Sequence, residues 1–272
     1  IDKPHRFSVA ATIASQIAQQ VSSSQYGGPT MYISPLSPFV EETRKSFRKR
    51  LVEMGLDPKR PDFETIVEKA TLIDVEDGVQ TFMYQLNTMS GTNGQAPFIS
   101  LYMHLEDVPE GKDRDDLAMV CRKIFEQRIV GLKNASGAYV SPAFPKILYV
   151  LDEDNIHEDS KYWDLTVLAA TCTSKRMVPD YISAKIMREL KDGNVYGCMG
   201  CRSFLTVGYV DKKDPWKMTT KKKGTPKFPG RFNQGVVTIN LPDVALSSKG
   251  DIEKFWYILD ERLELCHRAL RL

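Results

Sequence analysis

Two short apolar runs, "APFISLYM" at 96–103 and "FPKILYVL" at 144–151, stand on either side of a long segment with helical period. That segment, "DRDDLAMVCRKIFEQRIVG" (113–131), sets Leu117, Val120, Cys121, Ile124 and Phe125 on one face and closes on Gly131. The apolar runs have the length of buried strands. A helix between two successive strands is the crossover that parallel pairing demands. The pattern therefore predicts an α/β protein built around a largely parallel sheet.

Other segments extend the scheme. Val9, Ile13, Ile17 and Val21 predict an opening helix with that stripe inward, ended by "SSSQYGG" (22–28) in a short extended stretch and a glycine turn. Phe39, Phe47, Leu51 and Met54 predict a second helix. Asp62 is the expected N-cap of a third, which runs through Ile66, Ala70 and Ile73 towards Phe82 and Leu86. "YWDLTVLAATC" (162–172) reads as a helix, and "MVPDYIS" (177–183) as a strand with a helix behind it. "RSFLTVGYV" (202–210) and "GVVTINL" (235–241) are rich in strand formers. A final helix, Asp251 to Arg271, is expected to turn Ile252, Trp256, Leu259, Leu263 and Cys266 inward. Residues 212–231, "KKDPWKMTTKKKGTPKFPGR", form a basic connection punctuated by Pro and Gly.

Composition excludes several classes. Thirty-seven basic and 35 acidic residues leave a net charge of +2, which argues against a general nucleic-acid or membrane-surface binder. No apolar run approaches the roughly 20 residues that span a bilayer. Five cysteines at irregular spacings do not suit a secreted disulfide framework and point to a reducing, cytoplasmic setting. Four histidines stand singly, so no metal site is expected within the chain. Residue 1 is Ile and the chain stops in a helical pattern, "CHRALRL". We read 1–272 as one partial domain cut from a longer protein.

The chemistry-bearing stretch is "GNVYGCMGCRSFL" (193–205). A zinc site needs four ligands, and no second Cys-x-x-Cys accompanies this one. A thioredoxin-like pair requires a helix directly after it, whereas "RSFLTVGYV" is strand-like. Two readings stand on spacing alone: one activated sulfur, Cys201, at a loop tip between glycines, or a buried structural cysteine beside a tight turn. Likewise Asn233 and Gln234, ahead of Gly235 in "GRFNQGVVTINLP", are either substrate-orienting amides or a turn entering a strand. "NTMSGTNGQAPFIS" (87–100) is a polar substrate loop or a plain connection. The lysine-rich run is a solvated connection, since it lacks the interleaved aromatics of a nucleic-acid groove.

In combination these stretches resemble one family. "MGCRSFL", followed some thirty residues on by "GRFNQGVVTINLP", is similar to the active-site signature of the anaerobic (class III) ribonucleoside-triphosphate reductases. "SSSQYGG" with "SPLSPFV", "QLNTMSGTNGQAPFIS" and "VSPAFPKILYVL" resemble segments of the same enzymes in the same order, across essentially the whole chain. The resemblance implies a glycyl-radical enzyme on a ten-stranded α/β barrel with a cysteine finger loop inside. It makes Cys201 the cysteine that becomes a transient thiyl radical and abstracts hydrogen from C3′ of a ribonucleoside triphosphate. Asn233 contacts the ribose hydroxyls, Met199 neighbours the radical sulfur, and formate is the implied reductant. Cys198 is then a bystander.

Asn87, Ser100 and Arg202 are the remaining substrate-contact candidates, and Gln25 is the candidate contact for an ATP or deoxynucleotide effector at a helical homodimer interface. The family's glycyl-radical motif, its C-terminal zinc cysteines and its N-terminal ATP cone have no counterpart in this sequence, so the isolated segment is expected not to turn over. A radical-SAM iron–sulfur activating enzyme is the implied partner. Strand edges left open by the cut predict self-association. Two rivals remain in view: a lyase related to pyruvate formate-lyase, and a non-catalytic nucleotide-binding module.

Overall fold

The computed structural model describes residues 3–24, 27–90, 94, 98–200, 203–230 and 237–271. The expectations placed on Gln25, Cys201, Arg202 and Asn233 fall outside these residues.

The chain divides into two units, Ile1–Ser24 with Gly28–Arg231, and Gln25–Gly27 with Phe232–Leu272. The first opens with α1 (Phe7–Ser24), β1 (Thr30–Tyr32), α2 (Pro38–Glu53), α3 (Phe63–Thr88), β2 (Ser100–Met103) and α4 (Lys112–Val130). A short hairpin of β3 (Leu132–Lys133) and β4 (Tyr139–Val140) leads to β5 (Lys146–Leu151), α5 (Trp163–Arg176), β6 (Asp180–Ser183) and α6 (Ala184–Leu190). Strands β1, β2, β5 and β6 form one sheet in that order, and every pairing is parallel. The predicted crossover scheme therefore holds: strands succeed one another across the sheet with helices between them. The extended stretch expected within 22–28 is helical as far as Ser24; strand β1 comes after it, in residues for which the sequence predicts no strand, and pairs Thr30 with Ser100 and Tyr32 with Tyr102.

Side chains alternate across the sheet because successive strand residues point to opposite faces. Leu101, Met103, Ile147 and Tyr149 join the core built by α1, α3, α4 and α5. Tyr102, Leu148, Val150 and Ile182 point the other way, into a second core completed by Ala184, Met187, Tyr196 and Cys198. The apolar face of α4 matches expectation at Leu117, Val120, Cys121, Ile124 and Phe125, all buried.

Two helix faces differ from the reading. In α1 the inner face is Phe7, Ala10, Ala11, Ser15 and Ala18, while Ile17 is 56% exposed and Val9 and Val21 also face outward. In α3 the buried row opens on Phe63, Val67, Thr71, Val75 and Gly78, one position off the expected Ile66–Ala70–Ile73 row, and meets the expectation at Phe82 and Leu86. The cause is close helix packing. A Cβ built on Gly78 comes within 2.8 Å of the Phe7 ring and 2.9 Å of Ser8 Cα, so small residues line the contact between α1 and α3 and larger ones flank it. Asp62 does precede α3, but its carboxylate bonds Arg60 rather than capping the helix.

The strand expected over 202–210 is shorter, with β7 running Gly208–Asp211. The basic stretch after it is not a plain connection. It contributes β8 (Met218–Thr219) and β9 (Gly224–Lys227), which flank β7 in an antiparallel sheet. In the second unit, the strand expected over 235–241 is absent among the described residues. Asn240 instead caps α7 (Leu241–Ser248) by accepting the Asp243 N–H at 3.2 Å, with Pro242 in the first turn. Helix α8 (Ile252–Ala269) follows, capped by Asp251. Its expected inner face is not buried: Ile252, Trp256 and Leu263 are exposed.

Candidate active site

The loop that follows α6 packs on the second face of the sheet, away from the large helices. It is tied down at its base, along its length and near its tip. At the base, Gly193 N–H donates to Arg188 O at 2.8 Å, and Lys191 Nζ reaches Phe204 O at 2.8 Å, joining the outgoing and returning arms. Along its length, the Tyr196 hydroxyl donates to Leu205 O and its ring stacks on Phe228 at 4.4 Å. Gly197 N–H donates to the Tyr32 hydroxyl at 2.8 Å. Near the tip, Met199 and Ser203 exchange backbone hydrogen bonds of 2.8 and 3.2 Å as an antiparallel bridge. Gly200 adopts φ +57°, a conformation that favours glycine. The Cys198 thiol is buried and lies 3.6 Å from Gly200 O.

Met199 is therefore held by backbone pairing at the loop tip. Ser100 opens β2, buried, two residues before Tyr102 and so on the same sheet face as the loop. Asn87 lies near the end of α3, where its amide donates to Met83 O in its own helix at 2.7 Å. The structure thus brings Ser100 to the loop's side of the sheet and leaves the Asn87 amide engaged locally.

The floor beneath the loop is aromatic. Tyr32 and Tyr102 sit side by side in register, ring centroids 4.8 Å apart. The Tyr102 hydroxyl and Thr30 Oγ1 are buried without a hydrogen-bond partner among the described residues, an arrangement costing on the order of 1–3 kcal/mol per group unless a polar occupant is supplied. Burial, with Asp107 adding to it, pushes the Tyr102 phenol well above its ordinary value, so the ring stays neutral.

A second cluster lies just beyond the carboxyl ends of β2 and β5, where open parallel sheets commonly build their sites. His104 Nδ1 contacts Asp107 at 3.1 Å and Nε2 contacts Asp152 at 3.0 Å, so each ring nitrogen faces a carboxylate. Arg188 of α6 bonds Asp152 bidentately and Glu106 at 2.8 Å. Burial alone would lower the His104 pKa, but the two carboxylates more than offset it and raise the value, favouring the imidazolium. His104, Glu106 and Asp152 also offer one donor atom each within 4.8 Å of one another, a spacing that suits a cation. Arg188 already supplies positive charge there and takes up Asp152 and Glu106, so the arrangement reads as an ion-pair network.

The sequence reading missed Tyr32, Tyr102, Tyr196 and this network. One signal was present: "YMHLED" and "VLDED" place His and carboxylates directly after two buried strands. The tyrosines carry no local signal.

Comparison with known proteins identifies the family. A family model described as "Anaerobic ribonucleoside-triphosphate reductase" matches residues 1–272, and the chain belongs to that family. The enzyme of that name from Enterobacteria phage T4 is 36% identical over 278 residues, covering 99% of this chain and 42% of the phage protein. The Escherichia coli (strain K12) protein is 34% identical over 275 residues, and the Haemophilus influenzae protein 31% over 274, each covering 99% of this chain and 35% of the relative. The chain thus spans 35–42% of the length of these curated relatives. No helix among the described residues is long and apolar enough to cross a membrane.

Proposed function

We propose that this chain is the part of an anaerobic ribonucleoside-triphosphate reductase that carries the hydrogen-abstracting cysteine, and that the whole protein converts ribonucleoside triphosphates to deoxyribonucleoside triphosphates in the cytoplasm. The observation that carries this reading is the loop at 193–207. It bears the family's cysteine signature and is seated on the face of the parallel sheet that the large helices leave open. On this reading the four parallel strands belong to a ten-stranded barrel, and the loop is its inner finger.

Cys201, as a thiyl radical, takes the hydrogen atom from C3′ of the ribose. The S–H bond forms as the C3′–H bond breaks, leaving the unpaired electron on C3′. Asn233 holds the ribose hydroxyls, and accuracy matters because a misplacement of about 1 Å costs on the order of a hundredfold. Met199 is the loop neighbour of the radical sulfur, with Ser100 and Arg202 as substrate contacts. Asn87, whose amide donates to Met83 O in its own helix, is a further substrate contact. Formate is the reductant. The glycyl radical and the zinc cysteines lie elsewhere in the protein, and a radical-SAM enzyme generates the radical. Gln25 contacts ATP or a deoxynucleotide effector at a homodimer interface.

The test is Cys201→Ser in the full-length protein. Nucleotide reduction is expected to vanish while binding of the ribonucleoside triphosphate persists. Retained reduction overturns the assignment.

A further inference from the structure

We propose that Tyr32 and Tyr102 form a seat that sets the depth and orientation of the 193–207 loop, making them positioning residues for the sulfur that the loop carries. The proposal rests on the functional reading above for its consequence and on geometry for its substance. The Tyr32 hydroxyl accepts the Gly197 N–H at 2.8 Å, a contact between residues 165 apart in sequence. Directly beside that bond, a Cβ on Gly197 would stand 3.2 Å from Tyr102 Cγ and 3.2 Å from Thr30 Cγ2.

The backbone at position 197 is outside the left-handed region, so alanine meets no backbone strand-type or turn penalty there. What glycine provides is closeness. The loop backbone rests on the flat of Tyr102, and Tyr102 is itself fully buried in the sheet's second core. Tyr32 leans on Tyr102 with ring centroids 4.8 Å apart. One tyrosine thus supplies a steric floor and the other a directional hydrogen bond, four positions before Cys201. Both project from strands whose register is fixed by parallel pairing. A rigid element therefore controls the loop's height, which a hydrogen transfer between sulfur and carbon requires.

Two variants of the full-length reductase test the seat. Tyr32→Phe keeps the ring and removes the acceptor. Gly197→Ala keeps the acceptor and adds one methyl group against Tyr102. The buried Cys198 thiol, at the edge of the seat, reports loop position independently of turnover. In both variants we expect native-state alkylation of Cys198 by iodoacetamide to accelerate by on the order of tenfold or more. We expect kcat to fall on the order of ten- to a hundredfold with KM for the ribonucleoside triphosphate within about twofold. Unchanged Cys198 rates in both variants overturn the proposal, and so does an accelerated rate with kcat intact. Equal damage to kcat and KM, or a lowered melting temperature that accounts for the alkylation, also counts against a positioning role. Cys201→Ser separates the two claims: if it leaves reduction intact, the functional reading fails, while the Cys198 rates still decide the seat.

Discussion

Arg188 grips Asp152 through two parallel N–H···O bonds of 2.8 and 2.6 Å. The bond pair crosses from α6, which leads into the 193–207 loop, to the end of β5. Asp152 is almost fully buried, so α6 cannot lift from the sheet without taking the arginine from a buried carboxylate. The same carboxylate also faces His104, and the base of the loop is thereby joined to two strand ends at once.

That network predicts a pH dependence. Burial pulls the His104 pKa down, but Asp107 and Asp152 hold it above the ordinary 6.5. The resulting stabilisation is complete below pH 6.5 and is lost as pH rises through the raised folded value. Asp152 runs the other way. Burial opposes its ionisation, yet Arg188 first and His104 next hold its pKa below 3.8, so its contribution is present above pH 3.8 and lost on acidification below that. The urea midpoint is expected to be lower at pH 8.5 than at pH 6, and His104→Gln should flatten that decline. Identical slopes for the wild type and the variant would count against the assignment.

A buried ion pair inside the helical layer should be costly to break on one side. Arg44 of α2 donates to both Asp116 oxygens at 2.7 and 2.6 Å and to Glu68 at 2.7 Å, with Arg44 and Asp116 both buried. Arg44→Ala is expected to lower unfolding stability by about 3–5 kcal/mol, because the buried Asp116 carboxyl loses its partner. Replacing both, Arg44→Met with Asp116→Leu, should recover most of the loss. Urea titrations of the single and double variants measure the difference.

Gly78 tests helix packing against helix propensity. In an exposed helix, Gly→Ala stabilises by about 0.8–1 kcal/mol. Here the new methyl group would stand 2.8 Å from the Phe7 ring and 2.9 Å from the Ser8 backbone. Gly78→Ala is therefore expected to destabilise, by on the order of 1–3 kcal/mol, as overpacking does. A thermal melt that moves upward would refute the close contact between α1 and α3.

Thiol reactivity should sort by burial. Cys121 and Cys172 lie in the main core, where burial pushes both thiols up and away from the reactive thiolate. Cys266 is only half-buried on α8. Brief iodoacetamide treatment of the native chain, read by peptide mass spectrometry, is expected to label Cys266 well before Cys121 and Cys172, which react only on unfolding. Early labelling of Cys121 would contradict the packing of α4.

The sheet was legible where the signal is local. β2, α4, β5 and α5 appear close to where the periodicity places them, because strand length and a 3.6-residue repeat are properties of short segments. The misreadings share a different cause. Val9 and Ile17 look like core residues, yet α1 buries Ala10, Ala11 and Ala18, since its neighbour approaches too closely for large side chains. The run "GVVTINL" looks like a strand, but residues 237–240 form none, and Asn240 with Pro242 starts a helix at Leu241. Around the candidate site, the cysteine motif and its glycines were visible in sequence. The tyrosines beneath it were not, because Tyr32 meets Gly197 only after β1 has paired with β2.

By itself, then, the sequence determined a parallel α/β layout and a glycine-flanked cysteine loop, and its motifs carried the family resemblance that the comparisons bear out. These depend on patterns repeated over a few residues. Only the tertiary structure decided which face each helix turns inward and what the loop rests on. Those outcomes depend on contacts between residues far apart in the chain: Gly78 against Phe7 sets how α1 meets α3, and the register of β1 against β2 places Tyr32 beside Tyr102 under the loop.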